Sequence, residues 1–305
     1  MAISTVKAVI NGNEYNLTYN NTSGRWEASI PAPNITSFHQ DGGCFNVKLT
    51  ATNEAGSIKT IDRSDDVFGH ALALKVIEKQ SPVITIISPG AGAYMTTATP
   101  TIKFRLTDNT IGNNGDSGID LTSLVIKVDG EIVRDEISRL ETDGGFECEC
   151  TLSALSEGGH TVTIDVCDND GNAASQGSAS FTVDTVPPTL DIVAPVDGLI
   201  TNMQIITISG VTNDVTSTAV TVNISLNGAD QGSADVDEHG YFEKEIVLDA
   251  GVNTIIITAT DSAGKTTTVT RTVTLDISIP VFTAVSLTPN PADAGATLIL
   301  TVEVE

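Results

Sequence analysis

The stretch VCDNDGNAASQGSASFTVDTVPPTLDIVAPVDG, Val166 to Gly198, decides the fold. It reads as the end of a strand, a tight turn at Asp170-Gly171, a closing strand, a Pro-Pro joint at Pro187-Pro188, and the first strand of a new unit. A near copy of the joint lies upstream, SPVITIISPGAG from Ser81 to Gly92. In both copies two prolines stand seven residues apart, Pro82 to Pro89 and Pro188 to Pro195. A recurring joint implies a chain of similar beads.

Outward from the joint, each bead repeats one succession of signals. A hairpin turn comes first: Asn11-Gly12, then Asp129-Gly130, then Asn227-Gly228. Such dipeptides between alternating apolar runs mark two-residue hairpins, because both central residues must adopt positive φ. A strand with an inward aromatic follows, at Trp26, Phe146 and Phe242, spaced 14, 16 and 14 residues from the turn glycine. An alternating strand then closes at Asn53-Glu54-Ala55-Gly56, Asp168-Asn169-Asp170-Gly171 and Asp261-Ser262-Ala263-Gly264. Short strands with turn signals every 8–12 residues predict all-β, immunoglobulin-type sandwiches. The antibody Cys…Trp…Cys spacing and tyrosine corner are missing. The expected units are 1–80, 81–186, 187–278 and a two-strand partial module at 279–305.

Composition narrows the function classes. The 305 residues carry 15 basic and 39 acidic side chains, a net charge of −24. Residues 1–80 hold 7 basic and 8 acidic groups, residues 81–186 hold 5 and 16, and residues 187–305 hold 3 and 15. Nucleic acid is excluded as a partner, since phosphate contact needs a basic surface. The acidity serves either solubility or cation binding. No apolar run reaches the ~18 residues of a membrane span. Met1-Ala2-Ile3-Ser4-Thr5 leads straight into a strand, so no signal peptide is expected in this stretch. Four cysteines make no disulfide framework: Cys148 and Cys150 share one strand face, and Cys44 and Cys167 lie in different units.

The segments ATNEAG, CDNDGNAA and ATDSAGKTTT resemble the tandem bacterial Ig-like repeats of cell-surface and prophage proteins. VINGNEYNLTYNNTSGRWEASI and LTPNPADAGATLILTVEVE resemble Ig-like modules of prophage tail-associated proteins from Gram-positive bacteria. The resemblance implies tandem Ig-like β-sandwiches in an elongated array, acting as a non-catalytic structural or binding component. It implies a virion, tail-surface or extracellular setting, with other virion or cell-surface proteins, or carbohydrate, as partners. The favoured role is a phage or prophage tail-associated protein, the alternatives being a bacterial adhesin stalk and an accessory module of a secreted polysaccharide-degrading enzyme.

Catalytic patterns are absent from the sequence. His39, His70, His160 and His239 lie far apart, and neither a nucleophile elbow nor a phosphate loop occurs. Asp168-Asn169-Asp170-Gly171-Asn172 is not an EF-hand, because glycine falls at its fourth position. It reads either as a turn whose side chains bond their own backbone or as part of a calcium site. In the first reading it is structural. In the second, the resemblance implies calcium at domain joints through Asp168, Asp170, Asp184 and Asp261, with Asp168 and Asp170 beside Glu78 and Gln80, and Asp261 beside Asp184. The acidic insert Asp108 to Asp120 is expected at the same end.

Two features concern contacts. The near-neutral N-terminal unit holds 6 of the 13 aromatic residues, either as an attachment surface or as core. It also begins at Val6 directly in its hairpin, without the two strands that open the other units, while residues 280–305 read as such a pair. Head-to-tail self-association through those parts is expected, unless the ends are trimmed or the first unit rearranges around its 26-residue insert (Gly56 to Pro82).

Overall fold

A computed structural model describes residues 2–108, 115–142 and 144–305. Positions 109–114, the middle of the acidic insert, lie outside the described residues. Two compact units, Met1–Asp184 and Thr185–Glu305, make up the chain.

The first unit opens with β1 (Ile3–Ile10), β2 (Asn13–Asn20), β3 (Arg25–Glu27), β4 (Phe45–Asn53), β5 (Ile58–Ile61) and β6 (Ala73–Leu74). They form one sheet in the order β3-β2-β1-β4-β5, with β6 on the end of β4. Residues directly opposite in an antiparallel pair point to one face. Val6 with Leu17 and Ala51, and Ala8 with Tyr15 and Leu49, therefore make that face apolar. The insert after Gly56 supplies β5, a 3-10 turn at Gly69–Leu72 and β6.

A complete sandwich follows in the same unit: β7 (Val83–Ser88), β8 (Ala93–Met95), β9 (Thr101–Thr107), β10 (Ile119–Val128), β11 (Glu131–Ile132), β12 (Ile137–Thr142), β13 (Gly145–Thr151), β14 (Gly158–Asp168) and β15 (Gly177–Val183). Its sheets run β12-β13-β9-β7 and β11-β10-β14-β15-β8. Alternation along β9, β13 and β14 sends Ile102, Phe104, Leu106, Cys148, Cys150, Val162 and Ile164 into one core. Each such side chain contributes roughly 1.5–3 kcal/mol by leaving water. All four cysteines are free thiols. Burial pushes those of Cys148 and Cys150 up, so they act as small apolar groups.

The second unit holds β16 (Thr189–Ala194), β17 (Leu199–Thr201), β18 (Ile205–Asn213), β19 (Thr221–Leu226), β20 (Ala229–Val236), β21 (Tyr241–Val247), β22 (Gly251–Thr260) and β23 (Thr266–Leu275). These join as one path, β16-β18-β21-β20-β19-β22-β23-β17. Strand β20 pairs with β19 at one end and with β21 at the other, so it passes from one sheet to the other. Between the layers lie Ile208, Val222, Ile224, Phe242, Ile255 and Ile257. A separate ribbon, β24 (Phe282–Thr288) with β25 (Ile299–Val304), completes the chain, with every side chain exposed.

The three hairpin turns carry the backbone their residues demand. Asn11, Asp129 and Asn227 have φ of 46°, 52° and 52°, and each following glycine is also positive. The chain is nearly all β, built of tandem Ig-like strand layers. Among the described residues no helix is long and apolar enough to cross a membrane.

Candidate metal centre

At one end of the second sandwich, three segments converge. Residues 75–80, which lead out of the N-terminal sheet, are held by the loop at Thr36 and Ser37. Ser37 donates both its N–H (2.8 Å) and its hydroxyl (3.0 Å) to Val76 O. Glu78 is thereby carried inward and buried. Its N–H donates to Asp170 Oδ2 at 3.0 Å, and its Oε1 accepts from Ser117 N at 2.7 Å. Asn172 Nδ2 donates to its carbonyl at 3.3 Å.

Asp108 is the first residue after β9, fixed by its N–H to Gly144 O at 3.0 Å. Asp168 is the last residue of β14, where period-two alternation turns it inward beyond Val166. Its Oδ1 accepts from Asp170 N (2.9 Å) and Asn172 N (2.8 Å), and its Oδ2 accepts from Asn172 Nδ2 (2.7 Å). The side chain thus shapes the turn and faces the cluster at once.

One carboxylate oxygen from each of Glu78, Asp108 and Asp168 lies within 4.8 Å of the others, and all three residues are buried. Among the described residues, Glu78 Oε2 and both oxygens of Asp108 have no hydrogen-bond partner. Asp108 is 2% exposed. Burial, followed by the charges of Glu78 and Asp168, pushes its carboxyl up to about 6, against a smaller opposite pull from the Gly118 amide. Two unit charges at that separation repel by roughly 3 kcal/mol at an effective dielectric of about 20. Either a proton or a cation relieves such a group. The donors are all hard oxygens, which suit calcium or magnesium rather than a softer metal.

Asp170, expected among the ligands, fastens two segments through one carboxylate oxygen. Its Oδ2 is occupied by Thr36 Oγ1 at 2.5 Å and by Glu78 N. The Asp170 side chain leaves the turn toward the N-terminal segments, because two further residues of tight turn redirect the backbone after Asp168. Asp168 does join Glu78 and the start of the acidic insert, as expected. Asp108 itself carries no ligand-like spacing. Its only signal is its position directly after an alternating strand.

In the second unit, the residue after β18 and the residue after β22 repeat this placement. Asp214 and Asp261 bring carboxylate oxygens within 4.8 Å of one another. Asp214 Oδ1 accepts from Thr216 N and Ser217 N at 2.8 and 2.7 Å. Asp261 Oδ1 accepts from Lys265 N at 2.8 Å, while its Oδ2 is buried with no partner among the described residues. Asp184, buried at the end of the first unit, donates its N–H to Met95 O at 2.9 Å. Sequence reasoning missed Asp214, for the same reason as Asp108.

His39 lines a cleft with Asp108, its Nε2 3.1 Å from Asp116 O. His160 is buried, with Nδ1 2.7 Å from Asp129 Oδ2 and Nε2 2.9 Å from Ser156 O, which is a structural arrangement.

Residues 188–277 match the family described as glucodextranase, domain B. Bacillopeptidase F of Bacillus subtilis (strain 168) is 25% identical over 219 residues, which is 71% of this chain. The chain spans 13% of the length of that relative. Among solved structures, the fibronectin(III)-like modules of Clostridium thermocellum CbhA align with a TM-score of 0.40 at 18% identity, covering 63% of this chain and 94% of that one. Sidekick-1 immunoglobulin domains 1-5 align with a TM-score of 0.38 at 13% identity, covering 99% of this chain and 60% of that one.

Proposed function

We propose that this chain is a non-catalytic spacer segment of a larger bacterial surface or secreted protein, and that a divalent cation, calcium, secures its first joint. The observation that carries this reading is the Asp108 carboxylate, buried beside Glu78 and Asp168 with neither oxygen hydrogen-bonded among the described residues. Glu78 comes from the segment leaving the N-terminal sheet, whereas Asp108 and Asp168 come from the sandwich. A cation shared by the three therefore ties one to the other. Bound, it supplies the positive charge that lets three carboxylates stay ionised together. Asp214 and Asp261 are candidate ligands within the second unit, and Asp184 is a separate candidate at the end of the first.

The setting is supported by the likeness of residues 188–277 to a glucodextranase domain and by the relative named Bacillopeptidase F. Both names belong to enzymes, of which this stretch would be an accessory part. A role in a phage tail, or as an adhesin stalk, is the second reading, favoured by the resemblance of residues 9–30 and 287–305 to prophage tail modules. Tail genes beside the reading frame would select that reading, and a catalytic domain within the frame would select the first.

Thermal unfolding in millimolar calcium against chelator tests the joint. Ligand at 100 times its Kd stabilises the folded state by about 2.7 kcal/mol. A melting temperature identical in calcium and in chelator would remove the proposal.

A further inference from the structure

The three hairpin turns share one backbone but not one set of bonds. Asn11, Asp129 and Asn227 all take positive φ ahead of a positive-φ glycine. Each lies beside the strand that neighbours its hairpin, β4, β14 or β22. Register places Asn11 opposite Asn46, Asp129 opposite Thr161 and Asn227 opposite Thr254, one step beyond the pairs Ile10–Val47, Val128–Val162 and Leu226–Ile255.

In the second and third modules the turn residue is fastened to that neighbour. Asp129 donates its N–H to Thr161 O at 2.9 Å, and its Oδ1 accepts from Thr161 N at 2.8 Å. Asn227 repeats both bonds with Thr254, at 2.8 and 2.9 Å. Its Nδ2 donates two more, to Asp249 Oδ2 at 2.9 Å and to Asn253 Oδ1 at 3.1 Å. Asn253 is fully buried and is itself held, donating to the Asp249 and Gly251 carbonyls. The Asn227 carboxamide is therefore bonded at both ends.

Asn11 makes none of these bonds. Among the described residues, neither its N–H nor its carboxamide has a hydrogen-bond partner. The Oδ1 of Asn46, opposite it, accepts instead from Arg63 N at 3.0 Å. Asn11 and Gly12 are exposed and line a cleft of about 310 Å3 with Asp41 and Arg63. Exposure does not distinguish the two asparagines, since Asn227 and Gly228 are exposed as well. The hydrogen bonds do.

An asparagine followed by glycine carries a latent reaction. The glycine amide nitrogen, once deprotonated, bonds to the asparagine Cγ, because glycine has no side chain to obstruct the approach. The Cγ–Nδ2 bond breaks, ammonia leaves, and a cyclic imide forms. Water then opens either imide carbonyl, giving aspartate or isoaspartate. The carboxamide must rotate to reach that geometry. In Asn227 the rotation breaks three hydrogen bonds, and in Asn11 it breaks none.

We propose that Asn11 is a deamidation site of the folded chain, and that Asn227, before the same glycine, is protected by its bonds. The proposal goes beyond the cation joint and uses none of its carboxylates. The aspartate product keeps the turn, since Asp129 holds the same position in the second module. The isoaspartate product adds a methylene to a two-residue loop whose length sets the β1–β2 register, so that hairpin changes irreversibly with age.

The full chain should be aged in mildly alkaline buffer, both folded and in concentrated urea. Peptide mapping by mass spectrometry, with enzymatic detection of isoaspartate, follows each site separately. It also separates a third pair, Asn114-Gly115, whose asparagine lies outside the described residues. In the folded chain Asn11 should convert roughly tenfold or more faster than Asn227, since one net hydrogen bond already corresponds to about that factor. In urea the two rates should converge, because Ile10 and Leu226 precede otherwise identical pairs. Asp249→Ala, at an exposed position, should speed Asn227 severalfold and leave Asn11 unchanged. Asn11→Gln should abolish the fast conversion while the sandwiches melt as before. Equal rates in the folded chain, a difference that persists in urea, or Asn227 conversion indifferent to Asp249→Ala would each overturn the proposal.

Discussion

Thr36 Oγ1 donates a 2.5 Å hydrogen bond to Asp170 Oδ2, a carboxylate oxygen that also accepts the Glu78 N–H at 3.0 Å. One oxygen thus fastens both segments of the N-terminal part that meet the sandwich. Hydrogen bonds to a charged group contribute about 1.5–3 kcal/mol each in favourable cases. Asp170→Ala should cost about 3 kcal/mol of joint stability and Thr36→Val about half of that. Limited proteolysis should show new cleavage between residues 28 and 44 and between 75 and 80. The sandwich from residue 83 to 183 should stay resistant.

The neighbouring acid makes the opposite prediction. The Asp108 carboxyl is raised to about 6 in the folded chain, above its ordinary value of 3.8. A raised carboxyl leaves folding unpenalised below the unfolded value and penalised once pH passes the folded one. Cation-free protein should therefore lose stability as pH climbs from about 4 to above 6, by roughly 3 kcal/mol at 1.36 kcal/mol per unit. Asp108→Asn should flatten that slope, stabilise the chain in chelator at pH 7.5, and abolish the response to calcium. Urea denaturation across pH, with and without the ion, measures all three. A variant that keeps the calcium response would exclude Asp108 as a ligand.

Two glycines of the second unit should fail for different reasons. Gly210 in β18 has no room, since a Cβ there would meet Asp191 O and come within 2.8 Å of the Phe242 ring. Gly210→Ala should cost about 1–3 kcal/mol by overpacking. Gly228 has open space but φ of +85° in its hairpin turn. Gly228→Ala should cost about 1 kcal/mol through the backbone alone. Gly228→Asn should recover part of that loss, whereas Gly210→Asn should be worse than the alanine variant. Equilibrium unfolding of the four variants distinguishes the two causes.

The parts of this architecture that are legible in the sequence are those dictated by local chemistry. Asn11-Gly12, Asp129-Gly130 and Asn227-Gly228 announce their turns because few other residues tolerate that backbone. Alternation in Val162, Ile164 and Val166 announces a buried strand face. Asp168 is legible for the same reason, being the next inward position of β14. Asp108 lies 60 residues earlier and meets Asp168 only because the sheet of β9 packs on the sheet of β14, so no spacing points to it. Asp170 looks equivalent to Asp168 in a list of acids, yet two residues of turn direct it to Thr36. The passage of β20 between sheets is equally silent, because both of its halves alternate in the ordinary way.

The His160–Asp129 pair in the second sandwich supplies the last prediction, and its sign depends on both partners. His160 is buried, which by itself would lower its proton affinity. The hydrogen bond and charge of Asp129, with the Ser156 carbonyl, overcome this, and the net shift is upward. Both ring nitrogens face acceptors, so the imidazolium form satisfies the site completely. For Asp129, desolvation acts upward, but the His160 bond and the Thr161 amide prevail and its carboxyl is lowered. A raised histidine contributes stability below its unfolded pKa of about 6.5 that disappears as pH rises through the folded value. A lowered aspartate contributes stability above about 3.9 that disappears as pH falls. The pair should therefore stabilise the sandwich most between about pH 4.5 and 6.5. Because Asp129 is half exposed, the gain should be no more than about 1 kcal/mol. His160→Gln should remove the decline on the alkaline side, and Asp129→Asn should bring the His160 titration, followed by NMR, down toward or below 6.5. An unchanged His160 titration in Asp129→Asn would show that the carbonyl of Ser156, rather than the carboxylate, holds the proton.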